Sequence, residues 1–477
     1  MVLLLLCASA VFASHLPFLR LPYYWDEAGQ FIPAALDILR GGSWIPHSTV
    51  PNIHPPAVMG YLAAGWRAAG YHPATTRCAM LLVASFALWA AFLLAVELLP
   101  NSGGRQTLLA GGLLAVSPLF VAQAMLAQLD APAMLFSTLA FLFFLRERIA
   151  LSAAACVALV LVKETGIVVP LVCAAWLGHE RRWRDAAVYL APVLALSAWI
   201  AALALATGHW SGNRDFVRYN LYNQLHPARL ALTLLRRLYF LGFASFHWVG
   251  AAAAALAWRK GFFAGRRWRV AGLLVAAHVA VFTLAGGAAL ERYLLPAMPI
   301  VYAAMAAGLA FLGRIPRWAG TLTLAAGLAA GNFVNPPYPF PLEDNLAFTD
   351  FLRLHAAAAD YLETRHPTAV VHTIWPLTAE LTHPEFGFVK RRMEVRLLPD
   401  LSARTLETVD WREVQVLVAF SRDVPLAGLW RRFFGYVPAP AREDLHARVP
   451  FTAAAHFERH GQWVEVYVNP APAGAIP

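Results

Sequence analysis

Lysine is nearly absent from this chain: there are three in 477 residues, Lys163, Lys260 and Lys390. Charge of either sign is scarce too, at 14%, where a soluble globular protein carries about 25%. With 59% hydrophobic residues and a mean hydropathy of +0.54, that shortage excludes a soluble fold and identifies an integral membrane protein. Cysteine is limited to Cys7, Cys78, Cys156 and Cys173, all in apolar runs, which argues against a disulfide framework and thiolate metal ligation. The polar C-terminal stretch lacks a Gly-rich nucleotide loop, zinc-ligand spacing and a Ser/His/Asp signature, and no internal repeat is evident.

What the chain does have is long apolar runs. A bilayer core needs about 20 apolar residues per helix, and the candidates are 1–19, 77–99, 107–126, 132–145, 187–206, 238–258, 270–289, 293–312 and 318–333. The first has a plausible cleavage motif at Val11-Phe12-Ala13 but no basic segment before it, so it is expected to be an uncleaved helix rather than a signal peptide.

The basic surplus has a definite location. Residues 337–477 hold 14 Lys and Arg against 17 Asp and Glu, so the first 336 residues carry the excess. Thirteen of those basic residues fall in five short connectors, around Arg105, Arg146, Arg182, Arg266 and Arg314. This is the positive-inside pattern, which makes membrane lipids rather than nucleic acid the partner of the basic charge. It puts segments 20–76, 127–131, 207–237, 287–292 and 334–477 outside.

Residues 149–162 and 167–177 are apolar but only about 21 and 17 Å long as helices. They flank "KETG", Lys163 to Gly166. Two short helices turning at the outer side keep the charge rule intact, whereas one continuous crossing breaks it. A lysine in an apolar segment costs about 2.5–3.5 kcal/mol, so Lys163 is expected to have a partner. Glu164 is one choice, although adjacent helical residues point apart; a polar cavity is the other.

On this topology Asp26 and Glu27 ("YYWDEAGQF"), His54 ("NIHPP"), Asp130 ("AQLDAPAML"), Lys163, Glu164, Glu291, Arg292 and Tyr293 ("ERYLLPAMP") all open on the outer side. Blander roles compete at each position. Asp26 and Asp130 are placed to cap helices, Arg292 could be an interfacial anchor, and His54 could be only a turn residue. The stretches "FIPAALDILRGG" and "AVMGYLAAGWRAAG" are amphipathic and suited to the membrane interface.

The order "YYWDEAGQF … NIHPP … AQLDAPAMLFSTLAFLFFL … KETG … ERYLLPAMP" resembles the GT-C superfamily of polyprenyl-phosphate-sugar-dependent glycosyltransferases, near the bacterial protein O-mannosyltransferase and aminoarabinose transferase families. The resemblance covers residues 1–335, and "DEA" and "RYLLP" are its most specific parts. It implies that Asp26 is the catalytic acidic residue with Glu27 beside it. It also implies that Asp130 is the acid of the second outer loop, and that Lys163 and Arg292 bind the lipid-linked phosphate. Aminoarabinose transferases have Lys-Pro-Pro where this chain has His54-Pro55-Pro56, so their substrate does not carry over.

The residue types suit that chemistry on their own terms. A carboxylate can take the acceptor's proton, worth about 10²- to 10⁴-fold when well placed, and Lys and Arg can stabilise the phosphate through charge-assisted hydrogen bonds. Asp26 and Asp130 could instead share a divalent cation, Mg²⁺ or Mn²⁺. The expectation is an α-helical polytopic membrane protein of about eleven helices, counting the hairpin as two. It would transfer sugar from a polyprenyl-phosphate donor to a lipid, glycan or protein hydroxyl outside the cytoplasmic membrane, with His54, Asp130, Lys163, Glu164, Arg292 and Tyr293 binding substrate. The alternative is a flippase or transporter of lipid-linked sugars. After a Pro-rich linker at 336–344, residues 345–477 predict a small extracytoplasmic α/β domain, with a helix at 346–365 and strands in "TAVVHTIW", "VQVLVAF" and "WVEVYVN".

Overall fold

The computed structural model describes residues 1–100, 104–222, 225–285, 290–337, 340–422 and 442–470. The end of the expected span 270–289, part of the linker and two stretches of the tail lie outside the described residues. The chain divides into two compact units: residues 1–16, 31–71 and 75–334 form the first, and residues 17–30, 72–74 and 335–477 the second.

The regular elements of the first unit are, among the described residues, all helices. Among the described residues, four helices are long and apolar enough to cross a membrane: Pro73–Leu98, Trp183–Thr207, Arg266–Leu284 and Glu291–Ala310. A fifth span is counted if Pro227–Gly242 and Ala244–Arg259, bent by 44° at their junction, act as one. Pro73–Leu98 has 26 residues, about 39 Å at 1.5 Å per residue, and exceeds the hydrocarbon thickness. Shorter apolar helices run over Val2–Phe18, Asp130–Leu145, Ile149–Val162 and Glu164–His179. The two amphipathic stretches form the helices Ile32–Gly41 and Ala57–Ala69, which pack on one another.

Three of the five basic connectors are tied together. Arg266 holds Glu180 through two hydrogen bonds of 2.6 and 2.9 Å and lies 3.1 Å from Glu147. Arg182 reaches Glu147 at 2.6 Å and Asp185 at 2.7 Å. The connectors near residues 147, 182 and 266 therefore gather in one place, as a common membrane face requires.

The second unit contains a five-stranded mixed sheet. Its strands are β1 Val371–Thr373, β2 Val395–Leu397, β3 Val416–Phe420, β4 Ala453–Arg459 and β5 Gln462–Val468, in the order β2-β1-β3-β5-β4. β1 pairs in parallel with β2 and β3, while β5 runs antiparallel to β3 and β4. β3, "VLVAF", is buried along its whole length, as expected of a continuous apolar run inside a sheet. The helix Ala347–Arg365 packs on β4 and β5 with Phe348, Phe351, Leu352 and Leu362 buried.

Candidate active site

The site in the first unit begins with a break in a helix. Lys163 follows Ile149–Val162 and is extended, at φ −149° and ψ 121°, before the short 3₁₀ turn Glu164–Ile167. Its N–H still bonds Leu159 and its carbonyl accepts from Gly166, both at 2.9 Å. A Cβ at Gly166 would lie 2.5 Å from Leu159 Cγ, so the tight return of the chain needs glycine here. The extended residue is what turns the lysine and its neighbour toward different partners.

Lys163 Nζ donates to Asp130 Oδ1 at 2.6 Å, with both residues buried. The ammonium also lies 4.2 Å from the Tyr293 ring centroid and 5.1 Å from that of Phe282, and the two rings stack 5.1 Å apart. Cation–π attraction grows when the cation is desolvated, so Lys163 is held by one carboxylate and an aromatic pair.

Asp130 is the first residue of Asp130–Leu145, and the N-cap position before it is Leu129. The capping role is therefore not used; its second oxygen, Oδ2, faces Arg292 Nε at 3.5 Å. Asp130 thus has a cation near each of its oxygens. Among the described residues, no group of three or more His, Cys, Asp or Glu is arranged to hold a metal ion.

Arg292 and Tyr293 come from the 3₁₀ helix Glu291–Ala297. Pro296 inside this turn has no N–H to donate, and Pro299 occupies the first turn of the α-helix Met298–Ala310 that follows. The Tyr293 carbonyl is anchored by His278 Nε2 at 2.6 Å. Glu291 is bound by Arg236, and Arg237 lies 4.0 Å from its other oxygen. Arg237 also donates to the carbonyls of Leu290 and Phe282, each at 3.1 Å, and its guanidinium lies 5.9 Å from the Tyr293 ring. Around Tyr293 the described residues thus bring together Lys163, Arg236, Arg237 and Arg292 with two carboxylates, Asp130 and Glu291.

His54 and Glu164 form a second pair, Nδ1 to Oε2 at 2.8 Å. The His54 ring packs edge-on to Phe216 with centroids 5.4 Å apart. Glu164 therefore pairs with the "NIHPP" turn, and Lys163 finds its acid 33 residues earlier in the chain.

Asp26 and Glu27 lie in the second unit. Glu27 is fully buried, and its Oε2 accepts the Tyr24 N–H at 2.8 Å, so this carboxylate braces its own turn. Asp26 is half-buried on the same turn.

Arg236, Arg237 and His278 have no place in the sequence reading. The signal for the arginine pair is present: "LLRRLYF" puts two positive charges on an apolar helix outside the basic connectors. Nothing distinguishes His278 from any other polar residue within a span.

No protein-family model and no curated protein sequence matches the chain. Solved structures do. ArnT from Cupriavidus metallidurans in the apo state superposes with a TM-score of 0.58 at 14% identity, over 98% of this chain and 97% of that one. ArnT bound to undecaprenyl phosphate gives 0.57 at 14%, over 99% and 98%. The archaeal oligosaccharyltransferase AglB from Archaeoglobus fulgidus, in complex with an inhibitory peptide and a dolichol-phosphate, gives 0.50 at 12%, over 100% of this chain and 74% of that one. At such identities the likeness establishes the fold alone: this chain has the fold of the ArnT structures over nearly its whole length.

Proposed function

We propose that the protein is a glycosyltransferase that moves a sugar from a polyprenyl-phosphate donor to an acceptor hydroxyl on the outer side of the cytoplasmic membrane. The observation that carries this reading is the cluster of buried Lys163, Asp130 and Arg292 around the half-buried Tyr293, at helix ends of the first unit. Cations kept out of water need a counter-charge. Asp130 supplies one, and a lipid-linked phosphate would bring another. That ArnT is solved with undecaprenyl phosphate and AglB with a dolichol-phosphate supports this choice of ligand.

In the reaction the acceptor oxygen bonds to the anomeric carbon as the bond from that carbon to the phosphate oxygen breaks. The electron pair leaves with the phosphate, where Lys163 and Arg292 stabilise the added charge through charge-assisted hydrogen bonds. Asp26 takes the proton from the acceptor hydroxyl, and His54, held by Glu164, and Tyr293 contact the sugar. A single displacement inverts the anomeric centre. The C-terminal domain lies outside the membrane with this chemistry.

The test is transfer of labelled sugar from a panel of undecaprenyl-phosphate sugars by the purified protein in lipid nanodiscs. Asp26→Asn should lower turnover at least about a hundredfold while the protein still inserts and accumulates. Near-normal turnover in this variant removes Asp26 as the base.

A further inference from the structure

The segment that carries Asp26 belongs to the C-terminal unit, although about 300 residues of sequence separate the two. Residues 17–30 cluster with residues 335–477. The Tyr23 N–H donates to the Phe386 carbonyl at 3.1 Å. The Tyr24 ring lies 5.6 Å from Phe348 and 5.7 Å from Phe351 between centroids. Trp25 meets Trp375 edge-on at 4.5 Å and Phe351 at 6.1 Å, with the Arg422 guanidinium 5.1 Å from its ring.

The backbone at this point is strained. Trp25 has φ +33°, a left-handed conformation that a bulky L-residue adopts at a cost and keeps only where its surroundings over-determine it. Here the surroundings are the aromatic side chains of the C-terminal domain. The turn closes with Glu27 N–H to Tyr24 O at 2.7 Å and Gly29 N–H to Trp25 O at 2.8 Å. A Cβ on Gly29 would lie 3.1 Å from Trp375 Cζ2, so Trp375 lies against both Trp25 and Gly29, on either side of Asp26 in the chain.

We propose that Trp375 and Phe351 are positioning residues: the C-terminal domain holds the strained Trp25 turn and thereby fixes Asp26 for catalysis. The inference rests on the reading of Asp26 as the base. It gives Trp375 and Phe351 a part in turnover through packing. Without the Trp375 ring the turn can relax toward an ordinary backbone conformation, and the fraction of molecules with Asp26 in place falls. A fall to roughly a tenth lowers kcat by the same factor. Donor affinity, which the first unit's cations set, stays as it was.

The experiment combines amide hydrogen exchange with kinetics on the full-length protein in nanodiscs, comparing wild type, Trp375→Ala and Trp375→Phe. Trp375→Ala should raise exchange at Glu27 and Gly29 at least tenfold while β3 stays protected, and should lower kcat about tenfold with undecaprenyl phosphate affinity unchanged. Trp375→Phe should restore both. If Trp375→Ala fails to fold, Gly29→Val crowds the same contact from the other side and should give the same pattern. Unchanged exchange at Glu27 and Gly29 overturns the positioning. Raised exchange with intact turnover overturns the catalytic part, because it shows that transfer does not need this turn. Exchange is read with no substrate present, so the docking of the turn is judged separately from the assignment of Asp26.

Discussion

Replacing Lys163 by methionine removes one member of a buried ion pair and leaves Asp130 with Arg292 alone. At 2.6 Å and an effective dielectric of about 20, the direct attraction is about 6 kcal/mol before desolvation is subtracted. Removing one partner of a buried pair typically costs about 3–5 kcal/mol. The surviving Arg292 contact at 3.5 Å puts the expected loss near the lower end, about 3 kcal/mol. A lysine facing only an empty cavity would give no such loss, and its acid partner is what changes the expectation. The assay is thermal and denaturant melting in detergent, with undecaprenyl phosphate affinity measured on the same preparation. Affinity should fall about tenfold or more, because a charge-assisted contact is worth about 1.5–3 kcal/mol and a decade is about 1.4 kcal/mol. Lost stability with unaltered affinity would refute the phosphate role, and unaltered stability would refute the ion pair.

Two further predictions concern orientation and the basic face. In a cysteine-free background, Asp215→Cys or Thr364→Cys, both at exposed positions, should react with an impermeant thiol reagent in intact cells, and Gly265→Cys should not; the reverse pattern would place Asp26 in the cytoplasm. Hydrogen bonds from Arg266 hold the Glu180 carboxyl down from 4.5 to about 2. A depressed carboxylate adds stability that is present above its ordinary value and lost as pH falls through its folded value. Glu180→Gln should therefore cost about 1–2 kcal/mol at pH 7, allowing for partial exposure. The difference from wild type should close between pH 4.5 and about 2, and a constant difference across that window would contradict the assignment.

Much of the scaffold was legible because composition and period carry it. The half-length helices on either side of Lys163, the C-terminal helix and the strands β1, β3 and β5 fall where apolar runs and breaks put them. β2 and β4 were not legible. β2 has three residues and no buried position, and β4 is largely exposed and reads "AAAHFER", so neither shows an alternating pattern. The pairing of charges was also hidden. Local sequence offered Glu164 to Lys163, but the extended backbone at Lys163 sends the two side chains apart, and Asp130 and His54 are brought to them by helix packing. The membership of residues 17–30 in the C-terminal unit depends on aromatic contacts across roughly 300 residues, and no local pattern reports those.

The central claim is that the cluster around Lys163 and Arg292 recognises the phosphate of a polyprenyl carrier. It is tested most directly by comparing the affinity of the purified protein for undecaprenyl phosphate and for undecaprenol, which share a tail and differ only in the headgroup. Two charge-assisted contacts of about 1.5–3 kcal/mol each predict a preference for the phosphate of at least about a hundredfold, lost in the Lys163→Met/Arg292→Gln double variant. Equal affinity for the two lipids, or a preference that survives in the double variant, would contradict the account.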